Sequence, residues 1–87
     1  MSAQIKNKLR ENGISENIIY YWGYMYDLGK TYIVPYLRDL GIFKPGDKVA
    51  EIGSAEGGVL HSFLDEGSTE ALGTDIAQSR LLDGERL

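Results

Sequence analysis

Apolar positions alternate between helical and strand-like spacing along the chain, and those changes predict its elements. Residues 2–12 place Ile5 and Leu9 four apart, with Ser2 as a plausible N-cap and Gly13 suited to the C′ position. From Ser15 onward, Ile18, Ile19, Trp22, Tyr26, Gly29 and Ile33 share one side at a period of 3.6, with Met25 at its edge and Tyr20, Tyr24 and Asp27 opposite. Gly29 is expected to weaken or end this helix. Residues 31–40 then predict another, with Pro35 in its first turn and Gly41 after its end. Lys44-Pro45-Gly46-Asp47 has the residues of a turn.

The spacing changes at Lys48. Val49-Ala50-Glu51-Ile52 is a short apolar run, and Gly53, Gly57 and Gly58 punctuate it. Val59, Leu60, Phe63 and Leu64 resume helical spacing. Gly67-Ser68-Thr69 turns the chain, residues 71–74 form a second strand, and Asp75-Ile76 ends it. The pattern is a βαβ unit with a glycine-rich first turn, a geometry that holds nucleotide-like ligands against a helix N-terminus. A further helix begins at Ile76 and is expected to break at Asp83-Gly84.

Six tyrosines and one tryptophan lie between residues 20 and 36. The plainer reading is core and inter-helix packing, because aromatic side chains mostly bury area. A sharper one lets one or two tyrosines cover a ligand, and exposed aromatics can also pack on a further part of the domain or on a partner.

The 87 residues make at most one small domain, whose core is marginal. A net charge of −4 with no basic stripe argues against nucleic-acid binding. The absence of cysteine removes disulfides and thiolate metal sites. No stretch approaches ~20 apolar residues and the first residues are too polar for a signal peptide, so the expected location is the cytoplasm, without a membrane. Two parallel strands need cover on both faces and more strands beside them. The chain is therefore expected to be the front portion of a larger domain, or to complete its sheet with another copy of itself.

Two glycine motifs compete for the chemistry. Gly29-Lys30-Thr31 has the ending of a phosphate-binding loop, but Tyr24 occupies the place of the earlier glycine and no strand precedes it. The stronger candidate is Glu51-x-Gly53-x-Ala55-x-Gly57-Gly58. Gly53 allows a sharp exit from the strand, and Ala55 and Gly57 are small enough for close backbone approach. Asp75 lies at a suitable distance for a ribose hydroxyl pair, so a nicotinamide dinucleotide fits the spacing. Glu51 speaks against it, since a carboxylate there repels a diphosphate and suits a ligand with positive charge. His61, the sole histidine, has no metal-ligand spacing around it and reads as a surface or boundary residue.

From Lys44 to about Leu82 the sequence resembles the start of a class I S-adenosylmethionine-dependent methyltransferase. The family's first motif is an acidic residue followed by x-Gly-x-Gly-x-Gly. Here it stands as Glu51-Ile52-Gly53-Ser54-Ala55-Glu56-Gly57, and the acidic residue ending strand two falls on Asp75. The resemblance implies an α/β fold: the N-terminal part of a Rossmann-like methyltransferase, with residues 1–43 as helical cover and 44–87 as the first βαβ portion of the cofactor domain. It implies S-adenosylmethionine as cofactor, S-adenosylhomocysteine as product, and an unidentified methyl acceptor. Glu51, Gly53, Ser54, Ala55, Gly57, Asp75 and Ile76 would form the cofactor site. Glu51 would favour the α-ammonium, Asp75 the ribose hydroxyls and Ile76 the adenine face. Plainer roles are open for both carboxylates: a helix N-cap for Asp75 and a backbone-bonded strand end for Glu51. Ala55 replaces the middle glycine, which is tolerable if its φ is negative, and Ala77 stands where the family often has a capping serine. Catalytic residues lie later in the family's chain, so none is assigned, and the isolated chain is expected to be inactive. The alternatives are a non-enzymatic dimerising module and a nicotinamide-dependent oxidoreductase.

Overall fold

The computed structural model describes residues 3–86. In chain order these form α1 (Ala3–Glu11), α2 (Glu16–Leu28), a π-helical segment (Gly29–Ile33), α3 (Val34–Asp39), β1 (Lys48–Ile52), α4 (Gly58–Asp65), β2 (Glu70–Thr74) and α5 (Gln78–Arg86). The two strands pair in parallel, from Lys48 opposite Glu70 to Ile52 opposite Thr74. The fold is thus mixed α/β around one βαβ unit. The expected Ser2 cap lies outside the described residues. Gly13 takes the left-handed conformation after α1, with φ 78°, and Ser15 caps α2 by accepting from the Ile18 amide at 3.3 Å. No helix among the described residues is long and apolar enough to cross a membrane.

Gly29 does not end the second helix. Residues 16–39 run on as helix, and at Gly29 the hydrogen bonding widens by one residue, with the Val34 amide donating to the Gly29 carbonyl. This π-turn absorbs Pro35, whose missing amide falls where the bonding pattern already changes. It also moves the core stripe. Strict helical spacing puts Ile33 inside, whereas the extra residue makes Val34 fully buried and leaves Ile33 partly covered.

The aromatic cluster divides. Trp22 and Tyr26 are buried and stack at 5.4 Å, but the other five tyrosines are exposed, against the packing expectation. Their side of the helix faces away from the core.

α4 lies against the long helix at two glycines. A Cβ on Gly58 would stand 2.7 Å from the Trp22 carbonyl oxygen, and one on Gly29 would stand 2.2 Å from Ser62 Oγ. Beneath this crossing Val34, Phe43, Val59 and Phe63 form the main core, with Met25, Ile33, Leu37 and Val49 packed on it. A smaller cluster of Leu9, Ile14 and Ile19 secures α1. The Tyr26 hydroxyl donates to the Asp65 carboxylate across the crossing. That bond, with burial second, pushes the Tyr26 phenol up to about 12. The folded pKa is raised, so this contribution is complete below the unfolded value of ~10 and is lost as pH rises through about 12. Tyr26→Phe is expected to flatten the alkaline fall in stability above pH ~10. Thermal melts from neutral to high pH, with phenolate absorbance followed in parallel, check this; an unchanged alkaline slope contradicts it.

The expected break at Asp83-Gly84 is also absent, since α5 runs through it. A Cβ on Gly84 would meet the Glu56 carbonyl at 2.7 Å. Gly84 is a contact between α5 and the glycine loop rather than a helix end. Along each strand exposure alternates. Val49, Glu51, Ala71 and Gly73 are the more covered residues, while Lys48, Ala50, Ile52, Glu70, Leu72 and Thr74 form an open face.

Candidate functional site

The site begins where β1 ends. Gly53 turns out of the strand with φ 73°, and its amide and that of Ser54 both donate to the Thr74 carbonyl, at 2.6 and 2.9 Å. The Ser54 side chain is buried against Gly73, where a Cβ would meet Ser54 Oγ at 2.3 Å. The Gly57 amide donates to the Ser54 carbonyl, and Gly57, with φ 80°, delivers the chain into α4. The loop therefore satisfies these amides internally and does not turn them outward as an anion cradle.

Ala55 departs from expectation. Its φ is +51°, not negative, so a side chain occupies a left-handed position between Gly53 and Gly57. Its amide donates to Asp75 Oδ2 at 2.9 Å, which holds the loop in this shape. Left-handed backbone costs an L-residue about 1–2 kcal/mol, and deleting the buried methyl offsets part of the relief. Ala55→Gly is expected to be neutral or stabilising by up to about 1 kcal/mol, and the β-branched Ala55→Val destabilising by about 2 kcal/mol. Urea unfolding of both variants checks this; a destabilised glycine variant would refute strain at this residue.

Asp75 performs the plainer role: its second oxygen, Oδ1, accepts from the Ala77 amide at 2.8 Å at the start of α5. The Ala77 and Ala55 amides, in that order, hold its carboxyl below the ordinary aspartate range. Asp75 thus caps α5 and braces the glycine loop. Each oxygen has a further lone pair for a ligand hydroxyl. Around it Ile52, Gly53, Thr74 and Ile76 line an open depression of about 360 Å³ at the carboxyl ends of both strands. Ile52 and Ile76 are almost wholly exposed there.

Glu51 lies beneath the long helix. Its Oε1 is buried without a partner, and burial pushes its carboxyl above the ordinary range. Trp22 Nε1 and Glu56 Oε2 are also buried and unpartnered. All three residues line one recess of about 30 Å³, walled by Tyr21 and Met25 and touching Gly53. Glu56 Oε1 accepts from Arg80 Nε at 3.1 Å, and the Arg80 guanidinium lies 5.5 Å from the Tyr21 ring centre. The expectation of a backbone-bonded Glu51 fails for Oε1. A volume of ~30 Å³ admits one water or an ammonium head.

Sequence reasoning placed Trp22 in the core and left Glu56 as a variable position of the motif. A charged residue inside a run of small ones was the available signal for Glu56; Trp22 gave none. His61 is half-buried with Trp22 against it at 5.2 Å, and it lines neither the recess nor the depression. Gly29-Lys30-Thr31 lies within the long helix, with Lys30 Nζ over the Tyr26 ring at 5.9 Å, so it is not a strand-to-helix phosphate loop.

Comparison with protein-family models, with curated proteins and with solved structures found no match for this chain.

Proposed function

We propose that the chain carries the S-adenosylmethionine-binding part of a methyltransferase. The observation that carries this reading is the recess under Gly53, lined by Glu51, Glu56 and Trp22, each of which keeps a buried side-chain polar atom without a partner. Buried polar atoms of this kind call for partners. Carboxylates favour a cationic donor such as an α-ammonium, and the indole N–H accommodates an acceptor beside it. Only such a head group fits the recess, and the adjoining depression offers room for a nucleoside beside Asp75 and Ile76. A ligand at the carboxyl ends of parallel strands obeys the general rule for open α/β sheets.

The cofactor supplies an electrophilic methyl group on a sulfonium. These residues contribute binding and orientation: Glu51 and Glu56 fix one end of the ligand and Asp75 the ribose, which converts an encounter into a positioned attack.

A nicotinamide dinucleotide is the weaker reading. Its diphosphate needs outward amides, whereas those of Gly53, Ser54, Ala55 and Gly57 are engaged within the protein. Calorimetric titration with S-adenosylhomocysteine, with NAD as control, tests the proposal. Saturable binding of the first alone is expected. A folded sample that binds neither, or binds NAD, overturns it.

A further inference from the structure

The long helix carries an uncharged row that the cofactor reading leaves unused. Tyr20, Tyr24, Leu28, Tyr32, Tyr36 and Leu40 follow one another at intervals of four. The four tyrosines are 60–76% exposed. In an unbroken α-helix, a side chain sixteen residues on is rotated by about 160°. The extra residue of the π-turn takes back about 100°. Tyr20 and Tyr36 therefore lie within about 60° of one another, and the row stays on one side of the molecule. The same turn that seats Val34 in the core thus aligns the tyrosines outside it. None of the six residues lines the recess or the strand-end depression.

Aromatic enrichment with no charge is the compositional mark of a protein interface core. The exposed parts of the four tyrosines offer about 500 Å², which matches the largest apolar patches of ordinary monomers. Leu40 and the neighbouring Ile42, both exposed, bring the surface toward the ~800 Å² per partner of a specific complex, with the half-buried Leu28 at its centre.

The order of the row identifies the occupant. Read outward from Leu28, it is Tyr24 and Tyr20 in one direction, Tyr32 and Tyr36 in the other, and the symmetry stops there, since Leu40 beyond Tyr36 mirrors Glu16. A two-fold axis through Leu28 would set Tyr24 against Tyr32 of a second copy, Tyr20 against Tyr36, and Leu28 against itself. Isologous interfaces demand this self-complementarity, since each residue must suit the one that mirrors it. The geometry points to an antiparallel homodimer in which the tyrosine rows of two copies pack about Leu28. This mode leaves the sheet edges and the open sheet face outside the contact, and it does not rest on the cofactor reading.

Single cysteines test it cleanly, because the chain has none of its own. Mild oxidation of Leu28→Cys is expected to give a disulfide-linked dimer. Tyr24→Cys mixed with Tyr32→Cys should cross-link, and Tyr24→Cys mixed with Tyr20→Cys should not. In sedimentation equilibrium the unmodified chain should be a dimer, and Tyr24→Lys with Tyr32→Lys should weaken association at least tenfold with an unchanged near-ultraviolet circular dichroism spectrum. Leu28→Cys is mild enough to keep the test informative if the lysine variant misfolds. Three results would overturn the proposal. They are a monomer throughout the micromolar range, a dimer indifferent to both lysines, or cross-linking by Leu72→Cys on the open sheet face in place of Leu28→Cys.

Discussion

Glu51→Gln should weaken S-adenosylhomocysteine binding at least tenfold while leaving the protein as stable or more so. The loss follows from removing a desolvated charge that would face the cationic head group in the proposed complex, an interaction whose truncation costs about 2–5 kcal/mol. The gain follows from the same desolvation. Glu51 Oε1 is buried without a partner, so the unliganded protein bears the cost of an isolated ionised oxygen. The neutral amide is expected to return about 0.5–1 kcal/mol, after allowance for the partly solvent-screened remainder of the side chain. Calorimetry and a thermal melt on one sample decide it. A variant that binds normally removes Glu51 from the site, and one that loses stability shows that the carboxylate has a partner within the fold.

The pH dependence of the two carboxylates runs in opposite directions. Burial raises the Glu51 carboxyl, so its contribution to stability is full below the ordinary glutamate range and is lost as pH rises through the raised folded value. The Ala77 and Ala55 amides lower Asp75, so its contribution is present above the ordinary aspartate range and is lost as pH falls through the folded value. Stability of Glu51→Gln against pH should lack the first slope and keep the second. Ligand affinity should climb as pH rises through the Glu51 value, because only the ionised carboxylate attracts an ammonium.

Gly58→Ala should destabilise the fold by about 2–3 kcal/mol, a fall of roughly 8–24 °C in melting temperature for a domain of this size. The new Cβ would stand 2.7 Å from the Trp22 carbonyl and 3.2 Å from the Tyr26 amide nitrogen. Both are backbone atoms of a helix, so no side-chain rotation relieves the clash, and α4 must move away from the long helix. Gly53→Ala is the control. Gly53 has a left-handed φ of 73° but nothing within 4 Å of the added carbon, so it should cost only the conformational penalty of about 1–2 kcal/mol. A Gly58→Ala loss no larger than that of Gly53→Ala in urea titrations would show that α4 moves aside at little cost.

Periodicity alone determined the βαβ unit, the parallel sense of its strands and the glycine turn between them. These are local signals: three apolar residues around Glu51, three glycines, then helical spacing. The acidic residues at both strand ends were legible for the same reason, because spacing within a short unit fixes where they lie. Tertiary structure decided the rest. Gly29 and Gly84 read as breakers from propensity, yet each lets one backbone approach another, and propensity yields to packing when two elements meet closely. The π-turn was invisible because one extra residue in a continuous helix leaves no compositional trace, although it moved the buried position from Ile33 to Val34. The recess at Glu51 was equally out of reach. Its atoms come from Trp22, Glu51 and Glu56, on a helix, a strand and a loop. A local pattern names the residues that one element presents; only the packing of elements decides which of them are shut away together from water.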